Sequence, residues 1–252
     1  MLAMLLLAAL FLPLYPLSAV HNALFMRLNG LPRVLLLLIW PQIGVSLLYY
    51  APKLIPAFTI PNEMVIWATA SAALYALRLL TVRDLGLWAA MLASSALALG
   101  WGLAANGSSE QTLHLFVFGF SVPVALLVLL ANQLTQRFGA AYAGLNGGLA
   151  ISHPRLSGML VLCMLAATAT PMFPGFFSML KLLQILDWGF GLALLAIWLA
   201  WSWAGALMLQ GFVFGTPSMS KCGDLRTAGS LAYVLVLLGL SIAGLILMGG
   251  SL

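Results

Sequence analysis

The stretch Arg155–Asp187, RLSGMLVLCMLAATATPMFPGFFSMLKLLQILD, decides how this chain is read. It is apolar for 31 residues between its charged ends, broken by Pro171 and Pro174, and it carries one internal charge, Lys181. A straight bilayer-spanning helix needs about 20 apolar residues, so this run is too long and wrongly punctuated for a plain anchor. Proline removes a backbone donor and clashes with the preceding turn, which frees carbonyls. Lipid cannot satisfy them, so such a break is buried in protein or lines a wet cavity. A broken helix beside an ionisable residue points to ion or substrate translocation.

The whole chain has the matching composition. Of 252 residues, 63% are hydrophobic and 6% charged, which no soluble protein of this size could keep in water. The expected fold class is all-α, a polytopic membrane helix bundle forming a single membrane domain over 1–252. Met1–Leu12 is apolar from its first residue with no basic region before it, and reads as a retained span. Cys163 and Cys222 are far apart, without metal or redox spacing, and read as packing or incidental residues. Nucleotide, haem and flavin fingerprints are absent from the sequence, so no cofactor is expected, and neither is a nucleic-acid partner.

Apolar windows give about eight transmembrane segments, at roughly 2–20, 34–55, 64–81, 85–105, 112–134, 156–186, 188–211 and 229–249. The loops after the first, third, fifth and seventh hold Arg27, Arg33, Arg78, Arg83, Arg137, Arg155, Lys221 and Arg226, whereas the other side holds Lys53 and Lys181. This alternation supports the count of eight and puts both termini on the non-cytoplasmic side. The Gly-rich loop 135–154 suits a short helix lying along the cytoplasmic surface. Segment 2 carries Pro41 and Gly44 around the polar Gln42, and is a second candidate for a broken helix. Membrane helices also tolerate Pro and Gly without such a role.

All five acids fall in loops or at segment ends, which leaves Arg78, His114 and Lys181 as ionisable groups within spans. Arg78 can snorkel to the interface as an anchor. His114 could titrate in the physiological range, or bond a neighbouring carbonyl as an interfacial histidine. Lys181 could carry a proton if burial lowers its pKa, or snorkel outward to pair with Asp187. Thr168, Thr170 and Ser178 cluster round the break and could satisfy its backbone groups.

The run Gly147–Gln184, GGLAISHPRLSGMLVLCMLAATATPMFPGFFSMLKLLQ, resembles a signature of the antiporter-like membrane subunits of respiratory complex I and of Mrp-type cation/proton antiporters. There a GGL-type loop leads into a discontinuous helix and then a G-F-x-x element, here Gly175-Phe176 onward. Val82–Leu103 resembles the segment that begins Asp-Leu-Lys, and TLHLFVFGF, Thr112–Phe120, resembles the histidine-bearing helix. The stretch from Phe212 resembles the loop into the last helix, and Leu31–Gly44 more weakly resembles a second broken helix. The resemblance covers roughly 31–249 and implies a shortened form, similar to the C-terminal portion of a subunit of about 14 helices.

The departures are informative. Gln42 and Gly86 stand where the family has lysines, Phe118 where a second histidine can occur, and Met179 where it places a glutamate or lysine. Lys181 lies two residues on, about 200° round a helix, and is no simple substitute. The resemblance therefore implies a proton-channel scaffold with much of its titratable wiring removed. Its path candidates are Lys181, His114 and Gln42, and its break residues are Pro171, Pro174, Gly175, Pro41 and Gly44. It implies no enzyme activity by the chain itself. Its implied partners are a longer antiporter-like membrane subunit and a peripheral or soluble catalytic subunit, in a bacterial-type inner, energy-coupling membrane. Complex I-like, hydrogenase-like and inorganic-carbon-uptake complexes are the settings for such a chain, and an inert membrane scaffold is the competing reading.

Overall fold

The computed structural model describes residues 1–55, 58–145, 147–216 and 223–247. Lys221, Cys222 and the end of the last expected span lie outside them. The described residues fold as helices α1 (Leu2–Phe11), α2 (Ser18–Arg27), α3 (Leu31–Leu54), α4 (Asn62–Leu79), α5 (Leu85–Ala105), α6 (Glu110–Phe138), α7 (Leu149–Ser152), α8 (Pro154–Ala167), α9 (Pro174–Ile185), α10 (Trp188–Val213) and α11 (Thr227–Leu247). Five of them, α3, α5, α6, α10 and α11, are long and apolar enough to cross a membrane. The protein is a multi-pass helical membrane protein.

Helix α5 is the hub. Every residue from Trp88 to Leu103 is buried, as expected of a helix that is apolar all round. Its run of Ala, Ser and Gly lets neighbouring backbones approach closely, and α4 and α6 pack along it. Asp84 caps α5 by accepting from the Leu87 N–H at 2.7 Å, which meets one of the orphan donors of a helix start. Next, α3 packs on α6 and α1 on α3, while α10 closes against α4.

The expected break at 156–186 is present as α8, an irregular joint at 168–173, and α9. The joint starts as a Schellman turn. Ala169 takes the left-handed position at φ 57°, and the Thr170 N–H reaches back to the Leu165 carbonyl at 3.2 Å. Met172 also has positive φ, 86°. Neither residue is glycine, so both positions carry backbone strain.

Two expectations about breaks are corrected. The first span, expected as one helix at 2–20, is itself discontinuous: α1 stops at Phe11, and α2 starts at Ser18 beyond Pro13 and Pro16. By contrast, α3 runs unbroken through Pro41. Gly44 is the seat for the neighbouring joint, because a Cβ there would lie 2.9 Å from both Leu12 Cγ and Phe11 Cβ. The Pro and Gly of segment 2 therefore mark where a broken helix docks.

The loop 135–154 is corrected as well. Helix α6 continues to Phe138 and ends at Gly139 in the left-handed region, φ 81°. Between Gly139 and α8 the described residues are mostly a strap, with only the four-residue α7 helical among them. Its backbone ties Ala141 to Leu85, Ala143 to Arg83, Gly144 to Gly211 and Gly148 to Phe214, each at 2.9 Å. The glycines at 139, 144, 147 and 148 make a free-standing surface helix costly, and these cross-chain bonds take the backbone groups instead.

Candidate functional site

Two of the three path candidates meet. His114, one turn into α6, shares a hydrogen bond between its Nδ1 and the Gln42 Oε1 of α3. On its other side, Nε2 lies 3.7 Å from the Glu110 carboxylate. A carboxylate at the helix start, an imidazole one turn on and an amide from the neighbouring helix form a short polar chain. An imidazole can pass a proton between its two nitrogens. The amide cannot change charge and serves only to orient the ring. Gln42 Nε2 is buried with no hydrogen-bond partner among the described residues.

Lys181 stands apart from this chain. It is half-buried on α9, and among the described residues no ion pair joins it to Asp187, so the expected interfacial pair is not formed. Ser178, Met179 and Leu182 make the buried face of α9. Met179, at the position where the resemblance expects a titratable group, is fully buried. Lys181 is turned away from that face, as its two-residue offset requires.

The break residues lie at a crowded joint. Pro174 opens α9 between two glycines: a Cβ on Gly119 of α6 would sit 3.0 Å from Pro174 Cβ, and one on Gly244 of α11 would sit 3.0 Å from its N. Gly175 is buried against Ala169 and Phe120, whereas Pro171 is exposed. Side chains add donors to carbonyls around the break, although those of Met164 and Leu165 already accept a backbone N–H. Thr168 Oγ1 donates to the Met164 carbonyl at 3.0 Å, Thr170 Oγ1 to Leu165 at 3.0 Å, and Ser178 Oγ to Pro174 at 3.0 Å. Trp198 Nε1 donates to the Thr168 carbonyl at 3.1 Å. The break in α1/α2 is served in the same way by three indoles. Trp40 donates to Leu10 at 3.0 Å, Trp101 to Leu12 at 3.2 Å, and Trp67 to Tyr15.

The sequence reading missed His21. With the first span placed at 2–20, this residue counted as loop, yet it lies on α2, fully buried, with neither ring nitrogen partnered among the described residues. Beside it, Ser18 shares a hydrogen bond with the Tyr75 hydroxyl, and Ser94 Oγ donates to Asn22 Oδ1 at 3.0 Å. The available signal was the Pro13/Pro16 pair, which ends the first helix early and extends the span past residue 20.

No protein-family model matches the chain, and no curated protein does. Similarity lies among solved structures. A chain of respiratory complex I from Thermus thermophilus with bound NADH aligns at TM-score 0.78 and 21% identity, over 96% of this chain and 54% of that one. A chain of the Mrp complex from Dietzia sp. DQ12-45-1b aligns at 0.77 and 14%, over 96% and 55%. A chain of the membrane-bound sulfane sulfur reductase, an archaeal respiratory membrane complex, aligns at 0.79 and 13%, over 95% and 51%. The likeness read from Gly147–Gln184 and its flanks therefore holds at the level of fold: this chain has the fold of chains in complex I, an Mrp complex and a sulfane sulfur reductase, and spans about half their length.

Proposed function

We propose that the chain is an antiporter-like membrane subunit of a larger proton- or cation-coupled complex. It docks against a longer antiporter-like subunit and a peripheral or soluble catalytic subunit, which carries any chemistry. It contributes part of a shared proton path through Glu110, His114 and Gln42, with His21 as a second station and Lys181 outside the chain of contacts. The observation that carries this reading is the bond between His114 and Gln42 across 72 residues of sequence, within a fold held in common with three ion- or redox-linked complexes. Eight crossings result if α4 and the pairs α1/α2 and α8/α9 each count once beside the five long helices. The charge alternation supports non-cytoplasmic termini in an energy-coupling membrane.

An inert scaffold is the second reading, favoured by buried Met179, by Gly86 and by Gln42 at positions where the resemblance expects charge. His114→Ala separates the two. In the complex purified with its native partners, it is expected to lower ion-coupled activity severalfold while subunit assembly stays intact. Unchanged activity in both His114→Ala and Lys181→Met leaves the scaffold standing. Isolation of the chain from native membranes without any partner removes the complex-subunit reading.

A further inference from the structure

The strap between α6 and α8 closes the arginine-bearing end of the bundle. Its backbone bonds to Arg83 and Leu85 at the start of α5, and to Gly211 and Phe214 at the end of α10. Helix α5 is buried on all sides, so a strap laid across its end is held away from the lipid-facing flanks. The 21 residues of α5 rise about 31 Å, which matches the roughly 30 Å of a hydrocarbon core. The strap therefore lies where the bilayer gives way to water. Its side chains alternate with the period of extended chain. Ala141 and Ala143 are buried against the bundle, and Tyr142 between them points out, opposite Asp84 in an antiparallel bridge. Tyr142 is 48% exposed, Leu145 65%, Ile151 74% and Phe214 67%.

An exposed leucine on a helix flank meets lipid and needs no explanation. Over the end of α5 it meets water, and several such side chains together mark a contact surface. The charges around them are largely of one sign. Arg83 and Arg226 are exposed, and among the described residues neither side chain has an ion pair or a hydrogen bond. Arg83 precedes α5 beside the strap, since its carbonyl accepts the Ala143 N–H. Asp224, bonded to the Arg155 and Leu156 N–H groups, brings Arg226 to the start of α8, close in sequence to Ile151. The acids at this end, Asp84 and Asp224, turn their oxygens to the starts of α5 and α8. Tyrosine and aliphatic side chains ringed by arginine have the make-up of a protein interface, apolar at its centre and charged at its rim.

We propose that the outer side of the strap, with Tyr142, Leu145, Ile151 and Phe214 at its centre and Arg83 and Arg226 at its rim, is the seat of the peripheral or soluble subunit. The matching surface of that subunit is acidic round an apolar centre. The arginines steer its approach and make its binding salt-dependent, while the apolar side chains hold it. This rests on the soluble partner of the proposed function, and adds where it sits and what surface it presents.

Retention of the soluble subunit on native membranes carrying the full chain tests it, with membranes washed at increasing salt. All the altered side chains are exposed, so the bundle itself should be undisturbed, which the amount of chain in the membrane checks. Leu145→Ser with Ile151→Ser is expected to lower the retained subunit about tenfold at every salt concentration, as loss of apolar anchors does. Arg83→Glu with Arg226→Glu is expected to lower it about tenfold at low salt, with the difference from wild type shrinking as salt screens the rim. Arg27→Glu with Arg78→Glu makes the same change of charge at the ends of α2 and α4, and should release little. Equal release by that pair overturns the proposal, because charge anywhere at this end would then suffice. Retention that disappears when the complex is moved from vesicles containing phosphatidylglycerol to phosphatidylcholine alone also overturns it, since anionic lipid would be the occupant. A soluble subunit retained unchanged by every variant strikes this surface and leaves the proposed function standing. Native membranes that hold no soluble subunit strike both.

Discussion

Gly44 and Trp198 do opposite jobs at the two joints. Gly44 gives way, and its missing side chain lets Leu12 approach α3. Gly44→Val should therefore overpack this contact at a cost of about 1–3 kcal/mol, read as a lower thermal midpoint of the purified protein. Trp198 fills in, donating to the Thr168 carbonyl. Trp198→Phe keeps most of the ring and leaves that carbonyl without its indole donor, for a loss of about 1–3 kcal/mol. Trp203 on the same helix is 63% exposed, and the same change there should leave the midpoint unmoved. Equal effects at 198 and 203 would show that ring burial, and not the hydrogen bond, supports the joint. His114 belongs at this scale too, because one imidazole joins a carboxylate to an amide and its loss should reduce activity without loosening the bundle.

The half-helix α8 illustrates how elements depend on distant sequence. His153 stands at its N-cap position without a side-chain cap, and the cap comes from Asp224, beyond α10. The two carboxylate oxygens accept from the Arg155 N–H at 2.8 Å and the Leu156 N–H at 3.1 Å. Arg155 Nη1 returns to Thr227 Oγ1 at 2.9 Å. The loop before α11 is thus fastened to the start of α8, while Gly244 of α11 fits against Pro174 at the start of α9. Helix α11 braces both halves of the broken helix. Burial acts to raise the Asp224 carboxyl. The backbone N–H groups of Arg155, Leu225 and Leu156, with His153 nearby, outweigh it and hold the group below the usual carboxylate range. A depressed pKa means that the stabilisation is full above the unfolded value of about 3.9 and is lost as pH falls through the folded value. Asp224→Asn keeps one acceptor oxygen but loses the charge and the second acceptor, so it should be less stable than the wild type at neutral pH by about 1 kcal/mol. That gap should close below about pH 4 in paired thermal-unfolding curves. A gap constant from pH 7 to pH 3 would mean that the carboxylate charge has no part in the cap.

Across the whole molecule, the charge asymmetry makes the testable statement. By the positive-inside rule, the loops carrying Arg27, Arg78, Arg83, Arg137, Arg155 and Arg226 are expected on the cytoplasmic side and both termini on the other. A reporter active only outside the cytoplasm should be on when fused at the N-terminus and off when inserted after Gly139. The reverse pattern would invert the topology.

Much of this architecture is legible in the sequence, because hydropathy and the spacing of arginines are summed over whole segments and one misread residue barely moves them. The span at 85–105 and the break after Ala167 are read directly, since an apolar run longer than a bilayer with two prolines has few other solutions. The break in α1/α2 escapes that averaging: its LPLYPL joint is as apolar as the helices it separates. Gly44 is misread for a related reason. A glycine that breaks a helix and one that receives a neighbour have the same local sequence, and only the position of Leu12 distinguishes them. The sequence by itself determined that the chain is a membrane helix bundle with a discontinuous helix, because lipid forbids unpaired backbone and long apolar runs have nowhere else to go. Only the tertiary structure decided which polar groups meet. His114 with Gln42, Asp224 with α8 and the indoles with the joint carbonyls are joined across tens of residues, where no periodic signal reaches and packing alone chooses the partner.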